Sequence, residues 1–495
     1  MGSIFHVCPF NITIDGKFPS ITTVCDLNTK VNPMIFREED RKTVRECLLE
    51  WHCHEIVISQ PKLNDGYELK GYGTIKSNDS GGLYLDFICL ESNKRIDFKS
   101  PVPEDSLDKN QCVEMRATTI NGAVISSSGL RIEASFQQML KEDPKLYRLG
   151  LSKIEIFEDY DPVTSHNAYL HLEFNEKVRI PFNKSNTTES SLGTKSLAWN
   201  QAVIEHEGFE INLINHDNFT EVYAKGEGLN LPDLRDVLIF YLGFSSGLFI
   251  QPYFEYYGDS SGCKTIINSI DIKKVRKSIP SPISDLVYDE NNKSLSHFHY
   301  ELLKNILEVS KKNPNYFESI YSQWTRVWHS FLSPEFSVPM LTISMAVEGI
   351  LNDIFIPVID SLARDESFEK EKERIKSIVS SIDGVSSEHL ETIQIFVGKW
   401  GNTHAKKALH YLSERNIIEA LQLKCWEKLR NSSAHPKLLK QDEARVRKNY
   451  ERTVVCLGLF YRLALNVFSY KGAQYSYKKL KDGKLVIYEY VNLLH

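Results

Sequence analysis

Within six residues, Arg430-Asn431-Ser432-Ser433-Ala434-His435 combines a permanent cation, an amide and a histidine, and Pro436 follows directly. These are the groups that metal-free cleavage of a phosphodiester needs: a fixed charge for the phosphate, a hydrogen-bonding group and a proton carrier that titrates near neutrality. The same residue types also end helices, where Arg and His meet the negative end of the dipole. Geometry adds a constraint. Residues five apart on an unbroken helix differ by ~140° and do not share a face. Ser432 and Ser433 can cap or turn the chain and Pro436 pushes His435 out of the helical region, so a helix break is expected between Arg430 and His435.

Other residues bear on the same chemistry. Glu348 is the lone carboxylate in the apolar run from Met340 to Leu351, and such a charge is costly unless paired. Arg430 is a candidate partner for it; the edge of a bundle, or another Arg or Lys, is the alternative. Arg445, Arg447, Lys448, Tyr450 and Arg452 follow the motif and can line an RNA groove by phosphate contact and stacking, or form a solvated helix face. Arg45 and His52 offer a second Arg with a His shortly after it, six residues between them instead of four, but Glu46 follows that arginine and the surroundings are acidic. Cys47, His52, Cys53 and His54 are zinc-type residues, yet adjacent positions on a strand alternate faces, so at most two converge and no metal site is assigned.

Charge is unevenly spread. Residues 401–495 carry 18 Lys+Arg against 8 Asp+Glu, a net +10, which leaves 41 against 57, or −16, for residues 1–400 and −6 for the whole chain. The basic excess surrounds the Arg430–His435 motif, as expected for a polyanion partner. The 495 residues, 42% apolar and 25% charged, fit a multidomain globular protein. The run Val237–Ile250 is interrupted and shorter than the ~20 residues of a spanning helix, so no membrane segment is read. Nine scattered cysteines without a CxxC pair argue against a disulfide framework, and the N-terminus lacks a leader pattern, so the expected location is cytoplasmic.

The elements that must position these residues divide by period. From about 54 to 227 the pattern alternates with period two, giving strands at 54–60, 67–77, 82–91, 112–120, 122–133, 149–157, 169–182 and 208–226. Asn78 to Gly82 and Asn121-Gly122 are the hairpin turns. An early helix over 37–53 and a connector over 144–149 complete that part. A helix capped by Asn230 with Pro232 in its first turn follows, then an extended aromatic segment at 253–257. Beyond 294 the period becomes 3.6, with helices at 294–311, 316–332, 338–362, 366–382, 386–397, 412–429 and 443–470. Two strands, 474–480 and 485–491, end the chain as a hairpin. The expected class is therefore α+β and multidomain. Residues 1–277 form a β-rich antiparallel sandwich or barrel-like region, with a subdomain split near 140; 278–293 are a linker and 294–495 an all-α bundle with a C-terminal β-hairpin. No phosphate-cradling Gly loop, HExxH or GxSxG occurs, which removes the commonest NTPase, zinc-protease and serine-hydrolase readings.

Arg430-Asn431-x3-His435, placed between the last two long helices of such a bundle, resembles the signature of the HEPN superfamily, an Arg followed after four to six residues by His, often with a polar residue next to the Arg. The layout resembles the Apea-like anti-phage defence proteins, which put a β-rich region ahead of a C-terminal HEPN domain. The motif resemblance covers residues 294–470; its extension to the N-terminal half rests on layout. It implies a metal-independent endoribonuclease of abortive-infection type, without cofactor, whose composite site forms in a homodimer or higher homo-oligomer. His435 would exchange the proton of the attacking 2′-OH or the leaving 5′-oxygen, Arg430 would neutralise the phosphate, Asn431 would orient either, and Glu348 would orient Arg430. The implied partners are RNA, with tRNA among the candidates, and a phage-derived trigger sensed by the β-rich half; no membrane is implied. The alternative is a catalytically silent HEPN-like scaffold or antitoxin-like module.

Overall fold

The computed structural model describes residues 38–94, 101–132, 145–158, 168–189, 195–270, 278–284, 296–363, 366–382, 384–399, 401–434, 443–477 and 483–487. A short helix, α1 (Glu38–Arg45), precedes β1 (Glu50–Ser59), β2 (Glu68–Ser77), β3 (Leu83–Ser92), β4 (Val113–Thr119), β5 (Val124–Leu130), β6 (Lys145–Leu151) and β7 (Lys153–Glu158). Next come β8 (Ala168–Phe174), β9 (Lys184–Glu189), β10 (Lys195–His206), β11 (Phe209–Asn215), β12 (Thr220–Gly226), helix α2 (Leu231–Ser246), β13 (Phe254–Asp259) and β14 (Gly262–Asn268). These strands form one antiparallel ladder in the order β6-β3-β2-β1-β4-β5-β7-β14-β13-β8-β12-β11-β10-β9. The β-rich class is as expected, but the strands run in a single continuous sheet. The hairpin β13–β14 produces this continuity, because β14 pairs with β7 and β13 with β8.

Several boundaries differ from the sequence reading. The expected strand over 149–157 is two strands divided at Ser152, and the expected connector over 144–149 lies largely within β6. The strand expected over 169–182 ends at Phe174, and the helix expected over 37–53 stops at Arg45 before β1 begins. β9, β10 and β14 add strands that the sequence reading lacked. β9 has the polar sequence Lys-Ser-Asn-Thr-Thr-Glu and sits at the sheet's outer end, where no apolar alternation is required. The turns follow local chemistry: Asn78 Oδ1 accepts from the amides of Ser80 and Gly82, both at 2.9 Å, with Gly81 at φ +94°.

α2 is buried on almost every side, with Leu234, Val237, Leu238, Phe240, Tyr241, Leu242 and Phe244 all in the core. It is therefore not an amphipathic cover but the layer between the sheet and the helices that follow. Phe240 contacts Phe468, and Phe244 contacts Trp324 and Tyr461. Arg235 donates to both oxygens of Glu255 on β13, at 2.6 and 2.9 Å, and ties α2 to the sheet. One hydrophobic cluster consequently joins the β8–β12 part of the sheet, α2 and the helices, whereas a second fills the β1–β7 part. The segment read as a linker is described at 278–284, where Ile279 and Ile283 are buried and Pro280 and Ser281 accept hydrogen bonds from Tyr461 and Tyr477.

The helices are α3 (His297–Lys312), α4 (Pro314–Ser330), α5 (Ser337–Ile350), α6 (Ile356–Ala363), α7 (Glu366–Ser380), α8 (Ser387–Lys399), α9 (Ala405–Glu414), α10 (Ala420–Ala434) and α11 (Glu443–Val467). A π-helical turn, Leu351–Phe355, joins α5 to α6. The helix expected over 412–429 is split into α9 and α10, because Asn416 adopts φ +57° and the Ile417 amide returns to the Leu412 carbonyl at 3.0 Å. Strands β15 (Ala473–Tyr477) and β16 (Gly483–Ile487) form the terminal hairpin. The rod Ser337–Leu362 is long and apolar enough to cross a membrane, but half of that window is buried inside the protein, with Ile343, Ala346 and Val347 fully enclosed. It reads as the central helix of the bundle.

Candidate functional site

The site grows from the pairing of α5 with α10. Trp426 is buried and its indole N–H donates to the Ser344 carbonyl at 3.1 Å. One turn further along both helices, Arg430 Nε donates to Glu348 Oε2 at 2.8 Å and Nη2 donates to Oε1 at 3.0 Å. Both contacts advance by four residues in the same sense, so α5 and α10 run parallel here. The fork of the guanidinium matches the two carboxylate oxygens, which fixes its plane as well as its position. The Trp426 ring, 5.9 Å from the guanidinium carbon, supports it from below. This hydrogen bond and the Glu348 charge raise the Arg430 pKa further, so the cation is permanent.

Arg430 keeps 43% of its side-chain surface exposed against 20% for Glu348, so the guanidinium is anchored on one side and open on the other. That opening is what a phosphate ligand requires. α4 backs the carboxylate helix closely: a Cβ added to Gly349 would lie 2.5 Å from Gln323 Nε2.

Residues 430–434 are helical without interruption, and Ser432 Oγ donates to the Leu429 carbonyl at 2.8 Å as an interior helix serine does. The serines therefore do not turn the chain as expected; the described helix ends at Ala434, directly before His435. Asn431 is exposed, one position or ~100° around the helix from Arg430. His435 lies outside the described residues, so its distance to Arg430 forms no part of the site's geometry.

On α11, Arg445, Lys448 and Arg452 follow i, i+3, i+7 spacing and share a face. Arg452 Nη1 donates to Asn449 Oδ1 at 3.1 Å, and Arg447 pairs with Glu451 at 3.7 Å. Tyr450 is half-buried against Phe336, with ring centroids 5.4 Å apart, and burial raises its hydroxyl pKa. Its ring is occupied by a protein neighbour, which differs from the free stacking platform expected of it.

A second polar constellation escaped the sequence reading. His171 and Glu173 on β8 and Glu221 on β12 are buried, and their ligand atoms lie within 4.8 Å of one another. α1 closes over them: Arg41 Nε reaches Glu173 Oε1 at 2.5 Å, Arg45 Nη1 reaches Glu173 Oε2 at 3.7 Å, and Arg45 also covers the Phe219 ring at 3.7 Å. Tyr253 donates to Glu173, and His216 Nε2 lies 2.7 Å from Glu221. Burial alone would raise the Glu221 carboxyl, but hydrogen bonds and charge from His171 and His216 outweigh it and hold it well below the usual range. The donor set resembles a metal site, yet Arg41 already engages the same Glu173 oxygen and two arginines balance the two carboxylates. An added dication would meet uncompensated repulsion, so the cluster is an ion-pair lock. The available signal was a Glu inside the apolar run Tyr-Leu-His-Leu-Glu-Phe.

Arg45 is thereby drawn into the lock, and its match with His52 carries no site; His52 instead bonds Thr74. Cys53 is buried and its thiol is pushed up to about 11, far from the thiolate that zinc needs. Compared with known protein families, with curated proteins and with solved structures, the chain matches none.

Proposed function

We propose that the chain is a metal-independent endoribonuclease of the HEPN type acting in anti-phage defence. The observation that carries this reading is the bidentate hold of Glu348 on Arg430, which presents a rigid, half-exposed guanidinium in the last turns of α10, five residues before His435. His435 removes the proton of a ribose 2′-OH, that oxygen attacks the adjacent phosphorus, and the 5′-oxygen leaves with a proton from the histidine of a second copy. Arg430 neutralises the charge that gathers on the phosphate. The products are a 2′,3′-cyclic phosphate and a 5′-hydroxyl. The net +10 of residues 401–495 supports a polyanionic substrate, RNA with tRNA included. Uniformly free cysteines among the described residues support a cytoplasmic location. The β-rich half is proposed to sense a phage-derived trigger and act on the helices through α2, the layer they share.

The test is RNA cleavage by purified protein. His435→Ala and Arg430→Ala are each expected to abolish it while circular dichroism and solution mass stay unchanged; cleavage by a folded His435→Ala protein overturns the reading. The ion pair also fastens α10 to α5, and a chain in which that is its whole role is a silent scaffold or antitoxin-like module. Growth arrest on overexpression, relieved by His435→Ala, separates the two.

A further inference from the structure

α7 and α8 form an arm whose helices pack on each other and bury almost nothing else: α8 has no buried residue, and α7 contributes only Lys372 and Val379 to the buried set. Their shared inner face is Phe368, Lys372, Ile375 and Val379 on α7 against Leu390, Gln394 and Val397 on α8, with Gln394 Nε2 donating to Ser380 Oγ at 2.7 Å. Ile378 stands one position before Val379, and Ile393 and Phe396 stand one position before Gln394 and Val397. In an antiparallel hairpin a twofold axis perpendicular to the hairpin plane exchanges the helices and preserves each side. Equal offsets from the inner face therefore look the same way. Ile382, also exposed, follows two residues past the end of α7, at the loop end of the hairpin. The four residues are 51%, 40%, 70% and 41% exposed for Ile378, Ile393, Phe396 and Ile382.

The same side carries Glu371 and Arg374, again one position before inner residues, and they neutralise each other through hydrogen bonds of 2.8 and 2.9 Å. The arm face is thus apolar apart from this closed acid–base pair and His389, one position before Leu390, whose Nδ1 lies 3.0 Å from Ser386 Oγ. Residues 366–399 contain five Lys+Arg and seven Asp+Glu, a net −2, so neither a nucleic acid nor an anionic lipid surface complements it. The four side chains offer roughly 400 Å² of apolar surface, about the non-polar share of the ~800 Å² per partner that a stable interface buries.

We propose that this face is covered by the same face of a second copy, two arms closing an antiparallel four-helix bundle around Ile378, Ile382, Ile393 and Phe396. Such an isologous contact is self-complementary, because the face is neutral and two-fold arranged. The inference does not depend on any activity at Arg430.

Solution mass by light scattering tests it on the full chain at tens of micromolar. The double variant Ile393→Lys/Phe396→Glu, and independently Ile378→Lys on the other helix, are expected to halve the wild-type particle mass. Ile395→Lys, an exposed residue on the opposite side of α8, is expected to leave it unchanged. All four positions are exposed in the single chain, so circular dichroism should show the wild-type fold in each variant, while the melting midpoint should fall only in the face variants, which lose the partner's stabilisation. A wild-type mass equal to one chain, an unchanged mass in both face variants, or equal dissociation by Ile395→Lys overturns the proposal. Cleavage of RNA is read separately, so loss of the dimer and loss of the nuclease reading remain distinguishable.

Discussion

The guanidinium of Arg430 grips the Glu348 carboxylate with two donors, Nε and Nη2 donating to its two oxygens at 2.8 and 3.0 Å. Because both groups are partly exposed, water and salt screen the pair, and its stability share is small, about 1 kcal/mol or less. Its larger consequence is directional. Glu348→Gln should lower the unfolding free energy by no more than that amount in urea titrations; under the proposed nuclease reading it should also reduce kcat/KM for RNA about tenfold by freeing the guanidinium to rotate. Arg430→Lys, which keeps the charge but not the fork, should lose still more activity. Equal activity for wild type and Glu348→Gln would show that the carboxylate has no positioning role.

The lock beneath α1 behaves differently, since Glu173 is fully enclosed. Arg41→Met leaves that carboxylate with Tyr253, His171 and the more distant Arg45, without its closest arginine, and should destabilise the fold by about 3 kcal/mol. Adding Glu173→Gln removes the stranded charge and should restore part of the loss. Additive destabilisation in the double variant, measured by denaturant unfolding, would contradict direct pairing.

These two ion pairs also mark what the sequence reveals. Glu348 and Arg430 stand out because one is a lone charge in an apolar run and the other sits in a patterned motif, so both helices are legible, while the pairing is one of the alternatives that the sequence leaves open and is settled by the approach of α5 to α10. Period 3.6 likewise identifies most of the bundle, whereas the division at Asn416 depends on a single left-handed residue. The α1 lock joins residues about 130 and 180 positions apart, and no local pattern reports such pairing. Similarly, the insertion of β13–β14 between β7 and β8 is a long-range choice, and it converts the strands into one ladder. Aromatic alternation shows that 253–257 is extended without showing where it goes.

The segment 278–284 reads as linker from its prolines but is fastened from both sides. Tyr477 donates to the Ser281 carbonyl at 2.6 Å, and the Tyr475 amide donates to Pro282 at 2.8 Å. Tyr477→Phe removes one half-buried hydrogen bond and should cost about 1 kcal/mol. Hydrogen exchange of the Tyr475 amide should also accelerate; unchanged exchange would mean that the backbone contact alone holds the segment.

His299 provides the clearest pH signature. It is fully enclosed beside Tyr241, whose hydroxyl lies 2.7 Å from Nδ1, and burial lowers its pKa from 6.5 to about 3. The folded protein therefore holds this imidazole neutral, while the unfolded chain takes up a proton once the pH falls below its ordinary value. Stability from this group is fully present above pH 6.5 and is lost progressively as the pH falls toward 3. The linkage amounts to about 2 kcal/mol at pH 5. His299→Gln retains a polar partner for Tyr241 but cannot titrate. Its unfolding free energy should thus fall less steeply from neutral pH to pH 5, by about 2 kcal/mol, even if it starts lower. Urea titrations of both proteins across that range decide the matter, and parallel curves would mean that His299 is protonated in the folded state or reached by water.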